Sequence, residues 1–190
     1  MAINDFAIDN SEETQQITDK SVEIQAYKVA IENLATGRDK SIFTNSGPDH
    51  AAIVLANIFR TAKKYIKIYT GRFDKCVSNN EYYMASLKEF LGRDIPLSII
   101  FESDPDLDSS ALKLILSTHK QNDKISLKKL IPSYSPMGEF NHFIIADDMM
   151  FRAEKINDYS AIGSFNDSKL AKNLNTRFES LDKISNTILN

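Results

Sequence analysis

Phe140–Asn166 reads FNHFIIADDMMFRAEKINDYSAIGSFN, and its apolar runs decide the fold. The runs His142–Ala146 and Met149–Phe151 flank the acidic pair Asp147-Asp148, and a third run, Ser160–Phe165, ends at Asn166-Asp167. Short apolar runs bounded by turn residues predict three consecutive strands. His142 opens the first strand, Arg152 and Glu154 close the second, and Asn166 closes the third. A site would be built from polar side chains gathered at the ends of such strands, with the preceding chain as its scaffold.

Upstream, strands and helices alternate. Ser41–Thr44, Tyr65–Thr70 and Lys124–Leu130 are predicted strands, and Ile95–Glu102 (IPLSIIFE) is apolar enough for a strand covered on both faces. Helical spacing joins Ile24, Tyr27, Ile31 and Leu34 from about Thr18 up to Gly37. Ser46 or Asp49 is placed to cap a helix through Val54 and Ile58, and Asn79 or Asn80 one through Tyr83, Leu87 and Phe90. A further helix starts at Asp106–Ser110, Pro132–Gly138 is a loop, and a last helix runs from Ser168 with Leu170, Leu174, Phe178, Leu181 and Ile188 on its buried stripe. This order predicts the α/β class, with a mixed, mostly parallel sheet and helices on both faces.

The chain has 190 residues, 42% hydrophobic and 26% charged, which suits one globular domain over 18–190 behind an acidic leader, 1–17. The net charge of −3 is uneven: residues 1–23 carry Asp5, Asp9, Glu12, Glu13, Asp19 and Glu23 against Lys20 alone, a net of −5, leaving about +2 on the body. A mildly basic body is compatible with phosphate ligands, and its plainer reading is a solvated surface. No apolar run approaches the roughly 20 residues of a membrane span, so no membrane partner is expected. The start MAINDFAIDN lacks a signal-peptide pattern, and a lone Cys76 has no internal disulfide partner; a cytoplasmic setting is expected. Cys76 and three scattered His residues do not give metal-ligand spacing, so no metal or cofactor is expected.

The element order, with the pattern HFIIADD…FRAE…AIGSFND, resembles one half of the phospholipase D-like superfamily over roughly residues 41–190. Such proteins carry H-x-K-x4-D on a late strand and G-S-x-N after the following turn, and two copies meet to form one site. The resemblance therefore implies a homodimer and a metal-independent phosphodiesterase, in first place a nuclease, with nucleic acid or a protein partner in a larger complex. By analogy it places the chain in bacterial phage defence. The alternative it allows is a catalytically inactive module binding nucleic acid or a protein.

The motif is incomplete in either register. With His142 as the motif His, Ile144 stands where Lys belongs; with Asp147 as the motif Asp, His142 falls on the Lys position and Phe140 on the His position. In that second register the later motif falls on Glu154-Lys155-Ile156-Asn157, whereas a literal G-S-x-N is found at Gly163–Asn166. On the resemblance, His142 attacks phosphorus, Glu154 or Asp147 orients it, and Arg152, Lys155, Ser164 and Asn166 hold phosphate. The same residues also allow a plain reading: Arg152–Glu154 as an ion pair, Asp147-Asp148 as a hairpin turn, and Asn166-Asp167 as a helix cap.

Overall fold

The computed structural model describes residues 10–73, 75–120, 122–131, 140–155 and 160–188. Its elements run α1 (Asn10–Gly37), β1 (Phe43–Ser46), α2 (Pro48–Thr61), β2 (Ile66–Thr70), α3 (Lys75–Ser78), α4 (Glu81–Leu91), β3 (Leu97–Phe101) and α5 (Ser110–His119). Then follow β4 (Ile125–Leu130), β5 (Phe140–Ala146), β6 (Met150–Lys155), β7 (Ser160–Ser164), α6 (Ser168–Lys183) and β8 (Ser185–Thr187). The predicted helix from Thr18 starts earlier, at Asn10, so part of the expected leader is helical. The expected loop Pro132–Gly138 lies outside the described residues.

The strands form one sheet in the order β1-β7-β6-β5-β2-β3-β4-β8. Only β2–β3 and β3–β4 pair parallel, and the other five pairings among the described residues are antiparallel. The expectation of a mostly parallel sheet is thereby corrected. Helical crossovers do give β2, β3 and β4 the parallel pairing they favour. The strands β5, β6 and β7 instead form a meander, which reverses direction at every turn, and β5 docks antiparallel on β2. The last helix also stops at Lys183, short of Ile188, and β8 returns to pair with β4.

Helices cover both faces. Ile66, Ile68, Ile99, Phe101, Ile144 and Ala146 pack beneath a layer that includes Ile31 of α1, Phe59 of α2, Phe90 of α4 and Ile115 of α5. The alternate residues Tyr69, Ile100, Phe143, Ile145 and Phe151 meet Leu174, Phe178 and Leu181 of α6. This is the two-residue period of a strand buried on both sides. Helix ends are set by side chains: Asn80 accepts from the N–H of Tyr82 and Tyr83 (3.0 and 3.2 Å), and Asp167 from those of Lys169 and Leu170 (3.0 and 3.1 Å). Gly47, and not Ser46 or Asp49, precedes α2, without a side-chain cap and with φ of 78°.

The β5–β6 turn fixes the register of the meander. Asp147 and Asp148 have φ of 55° and 62°, and the Met149 N–H donates to the Ala146 carbonyl (3.2 Å). Positive φ at both central positions is the type I′ geometry that matches strand twist. At the β6–β7 contact, Gly163 is required by space: a Cβ there would lie 2.5 Å from the Phe43 ring and 2.9 Å from the Phe151 carbonyl oxygen. No helix among the described residues is long and apolar enough to cross a membrane.

Candidate functional site

Five strand ends meet at one pole of the sheet: the end of β1, the ends of β2 and β3, and the hairpin legs of β5 and β6. A chain of polar contacts crosses them. Asn45 on β1 accepts from Arg152 Nε (3.1 Å), and Arg152 Nη1 donates to Glu154 Oε1 (2.9 Å). Glu154 Oε2 then meets His142 Nδ1 at 3.3 Å, and His142 Nε2 meets Glu102 Oε2 at 3.0 Å. Arg152 is 7% exposed, so its guanidinium is a buried charge held by partners. Gly71 makes room for the imidazole, since a Cβ there would lie 3.2 Å from His142 Cε1. The ring leans on Tyr69, with centroids 5.7 Å apart.

Both ring nitrogens face carboxylate oxygens, and only the imidazolium can donate from both. Burial works to lower the pKa of His142, but hydrogen bonds and charge from Glu154 and Glu102 outweigh it and hold it above the ordinary 6.5. Burial likewise would raise the Glu154 carboxyl, yet His142 and Arg152 bring it down to about 2. The raised His142 pKa means that the doubly bonded cation contributes stability fully below the unfolded value, and that this is lost as pH rises through the folded value. We expect the His142 imidazole resonances to titrate above 6.5 by NMR, and in Glu154→Gln the midpoint to fall. An unchanged midpoint in that variant would contradict the assigned cause.

Above this chain lies an open cleft of about 790 Å³ between the start of α2 (Gly47, Pro48) and the residues Thr70–Phe73 and Lys75–Val77, lined also by His142, Arg152 and Glu154. Arg72 and Lys75 stand on its rim, and Lys75 pairs with Asp106 at 3.4 Å. No group of three or more His, Cys, Asp or Glu side chains among the described residues is placed to hold a metal ion.

No protein-family model matches the chain, and no curated protein matches it. Solved structures do. Nuc from Salmonella typhimurium, a phospholipase D family member, aligns with a TM-score of 0.55 at 14% identity over 79% of this chain and 99% of its own. NucT from Helicobacter pylori aligns at 0.54 with 12% identity over 78% and 99%. The fold is phospholipase D-like. TrmBL2, an archaeal chromatin protein described as binding DNA, aligns at 0.55 with 12% identity over 93% of this chain and 68% of its own.

Within this phospholipase D-like fold the predicted site residues separate into two groups. His142, Glu154 and Arg152 come together as described. Asp147 does not join them. It follows β5 in the hairpin turn, five residues beyond His142, about 17 Å along an extended strand. Its carboxylate accepts from the backbone N–H of Lys63 (2.8 Å), Lys64 (2.7 Å) and Tyr65 (3.4 Å). Its role is to tie the hairpin to the α2–β2 turn, and the carboxylates beside His142 are Glu154 and Glu102.

Ser164 and Asn166 are also at the other pole, because β7 runs antiparallel to β6: Ala161 pairs with Glu154, whereas Ser164 pairs with Phe151. Asn166 Nδ2 donates to the Arg38 carbonyl (2.8 Å), and its N–H donates to Ser164 Oγ (3.2 Å). The literal G-S-x-N thus forms a turn at the pole away from His142. Lys155 follows Glu154 on β6, so alternation turns it to the opposite face of the sheet. Asn157 lies outside the described residues. His50 stacks on Tyr27 of α1 at 4.0 Å and takes no part in the chain of contacts.

Sequence reasoning missed Glu102 and Gly71, and it placed Asn45 in a turn before α2 without linking it to Arg152. Glu102 closes an apolar run and is separated from His142 by 40 positions, and only the docking of β5 on β2 brings them together.

Proposed function

We propose that this phospholipase D-like chain binds a phosphodiester, the backbone of a nucleic acid, in the His142 cleft and does not cleave it. The observation that carries the reading is the imidazole between Glu154 and Glu102. Held as a cation, it offers an N–H to an anionic oxygen and has no lone pair with which to attack phosphorus. Ile144, where the family Lys would stand beside a motif His142, is buried in the core, and Lys155, Ser164 and Asn166 are turned elsewhere. The nucleic-acid class is favoured by the likeness to TrmBL2 and by the mildly basic body.

A second reading, phosphodiesterase, draws on one observation. Glu154 on Nδ1 is how a carboxylate orients a histidine for attack through its other nitrogen, here the one that meets Glu102. It requires a second copy of the chain to bring a second His142, so the homodimer belongs to this reading above all. A protein partner and a role in phage defence rest on the resemblance alone, and a cytoplasmic setting rests on the lone Cys76.

The test is fluorescence anisotropy with a labelled single-stranded oligonucleotide, beside a turnover assay on the same strand and on an aryl phosphodiester. Wild type should bind in a salt-dependent way and yield no product, with or without EDTA. His142→Gln should bind about tenfold more weakly, because a charge-assisted hydrogen bond worth about 1.5–3 kcal/mol is lost. Turnover that His142→Gln abolishes would establish the phosphodiesterase instead. Absence of both binding and turnover would defeat both readings.

A further inference from the structure

The two carboxylates on His142 are not equivalent. Glu154 is fixed from two sides, by Arg152 Nη1 at 2.9 Å and by His142 Nδ1 at 3.3 Å. Glu102 has His142 Nε2 as its one side-chain partner among the described residues, and its side chain is 43% exposed. Its backbone is fixed, since its N–H donates to the Thr70 carbonyl at 2.9 Å. The main chain therefore holds still while the carboxylate is free to rotate into solvent.

Charge points the same way. Arg152 and the His142 imidazolium balance Glu154 and Glu102, so these four contacting side chains are neutral together. With Glu102 turned out, the other three keep one positive charge, which matches the single negative charge of a phosphodiester. A carboxylate oxygen and a phosphate oxygen are also interchangeable as acceptors for one N–H.

We infer that Glu102 is a built-in competitor for the anion: its carboxylate takes the Nε2–H that a phosphate oxygen would use, and the site accepts ligand by exchanging one for the other. This rests on the phosphodiester-binding reading of the cleft and goes beyond it, because it names the residue that sets the affinity. A site of this design rejects weak, free anions and yields to a ligand that brings additional contacts along the cleft. Glu102 is a positioning and competing residue and would not itself touch the bound phosphate.

The experiment compares wild type with Glu102→Gln and Glu102→Ala, with Asp104→Asn as a control for removing a nearby exposed carboxylate that pairs with Lys129 instead. The probes are the labelled oligonucleotide and inorganic phosphate. Glu102→Ala should bind the oligonucleotide about tenfold more tightly than wild type, the counterpart of one charge-assisted hydrogen bond no longer opposed. Glu102→Gln should fall between them, and Asp104→Asn should stay within about twofold. Inorganic phosphate should bind measurably only to the two Glu102 variants. A residue with a merely structural role would weaken binding when removed, so the sign of the change decides. If wild type binds and both Glu102 variants bind equally or more weakly, the competitor role is overturned while the binding reading stands. If no variant binds either probe, the reading of the cleft falls and the inference with it.

Discussion

Asp147→Ala should lower the free energy of unfolding by about 3–4 kcal/mol, read as a drop in denaturant midpoint at unchanged slope. Asp147 is 3% exposed, and its carboxylate is the acceptor for three consecutive backbone N–H groups at the α2–β2 turn. Without it those donors lose their acceptor, at about 1–3 kcal/mol for each that water does not reach. Lys63 and Lys64 are exposed residues, so water recovers part of the loss, which keeps the sum below three full penalties. Alanine adds about 1 kcal/mol because φ at this position is 55°, a left-handed conformation that a short polar side chain tolerates better. Asp147→Asn should therefore cost about half as much, since it keeps an acceptor and suits the turn. A loss below about 1 kcal/mol for Asp147→Ala would mean that the hairpin and turn are held by something else.

Arg152→Met should cost about 2–4 kcal/mol and should also weaken oligonucleotide binding. Removing one member of a buried pair strands the other. Here two groups are stranded, the Glu154 carboxylate and the Asn45 oxygen. The figure lies below the full cost of a deeply buried pair because the Glu154 side chain is 38% exposed and water screens it. The double variant Arg152→Met with Glu154→Gln should recover more than half of the stability, because the stranded charge is gone. It should not recover binding, because His142 then loses the anion on Nδ1 and the cleft loses the Arg152 charge, with Glu102 left as the one carboxylate on the ring. Strict additivity of the two substitutions in a double-mutant cycle would show that the pair is not coupled.

Much of the secondary structure was legible because each element carries its own period. The stripe of α6, the alternation of β2 and the Asn80 cap can be read without neighbours. Sheet order was not legible in the same way. A run such as Phe143–Ala146 is buried on both faces in a parallel or an antiparallel setting, so composition cannot say that β5 lies beside β2. The site divided along the same line. Arg152 and Glu154 are two apart on one strand, and their pairing follows from local geometry. Glu102 depends on strand order, and the distance of Ser164 and Asn166 from His142 depends on strand direction: the matching string on β7 runs to the other pole.

The pairing of β1 with β7 has a kinetic consequence. These neighbours, Phe43 opposite Gly163 and Asn45 opposite Ala161, lie far apart in sequence, so their pairing closes a loop that contains most of the chain. The β5–β6–β7 meander closes over short turns and so can form early, whereas β1 must search across a long loop. A four-residue strand at the sheet edge is also the kind of element that opens first when a native protein breathes. Asn45 rides on that strand. When β1 lifts, Arg152 loses its outermost anchor while the rest of the molecule remains folded, and the grip on His142 loosens from a point that touches neither the imidazole nor its ligand.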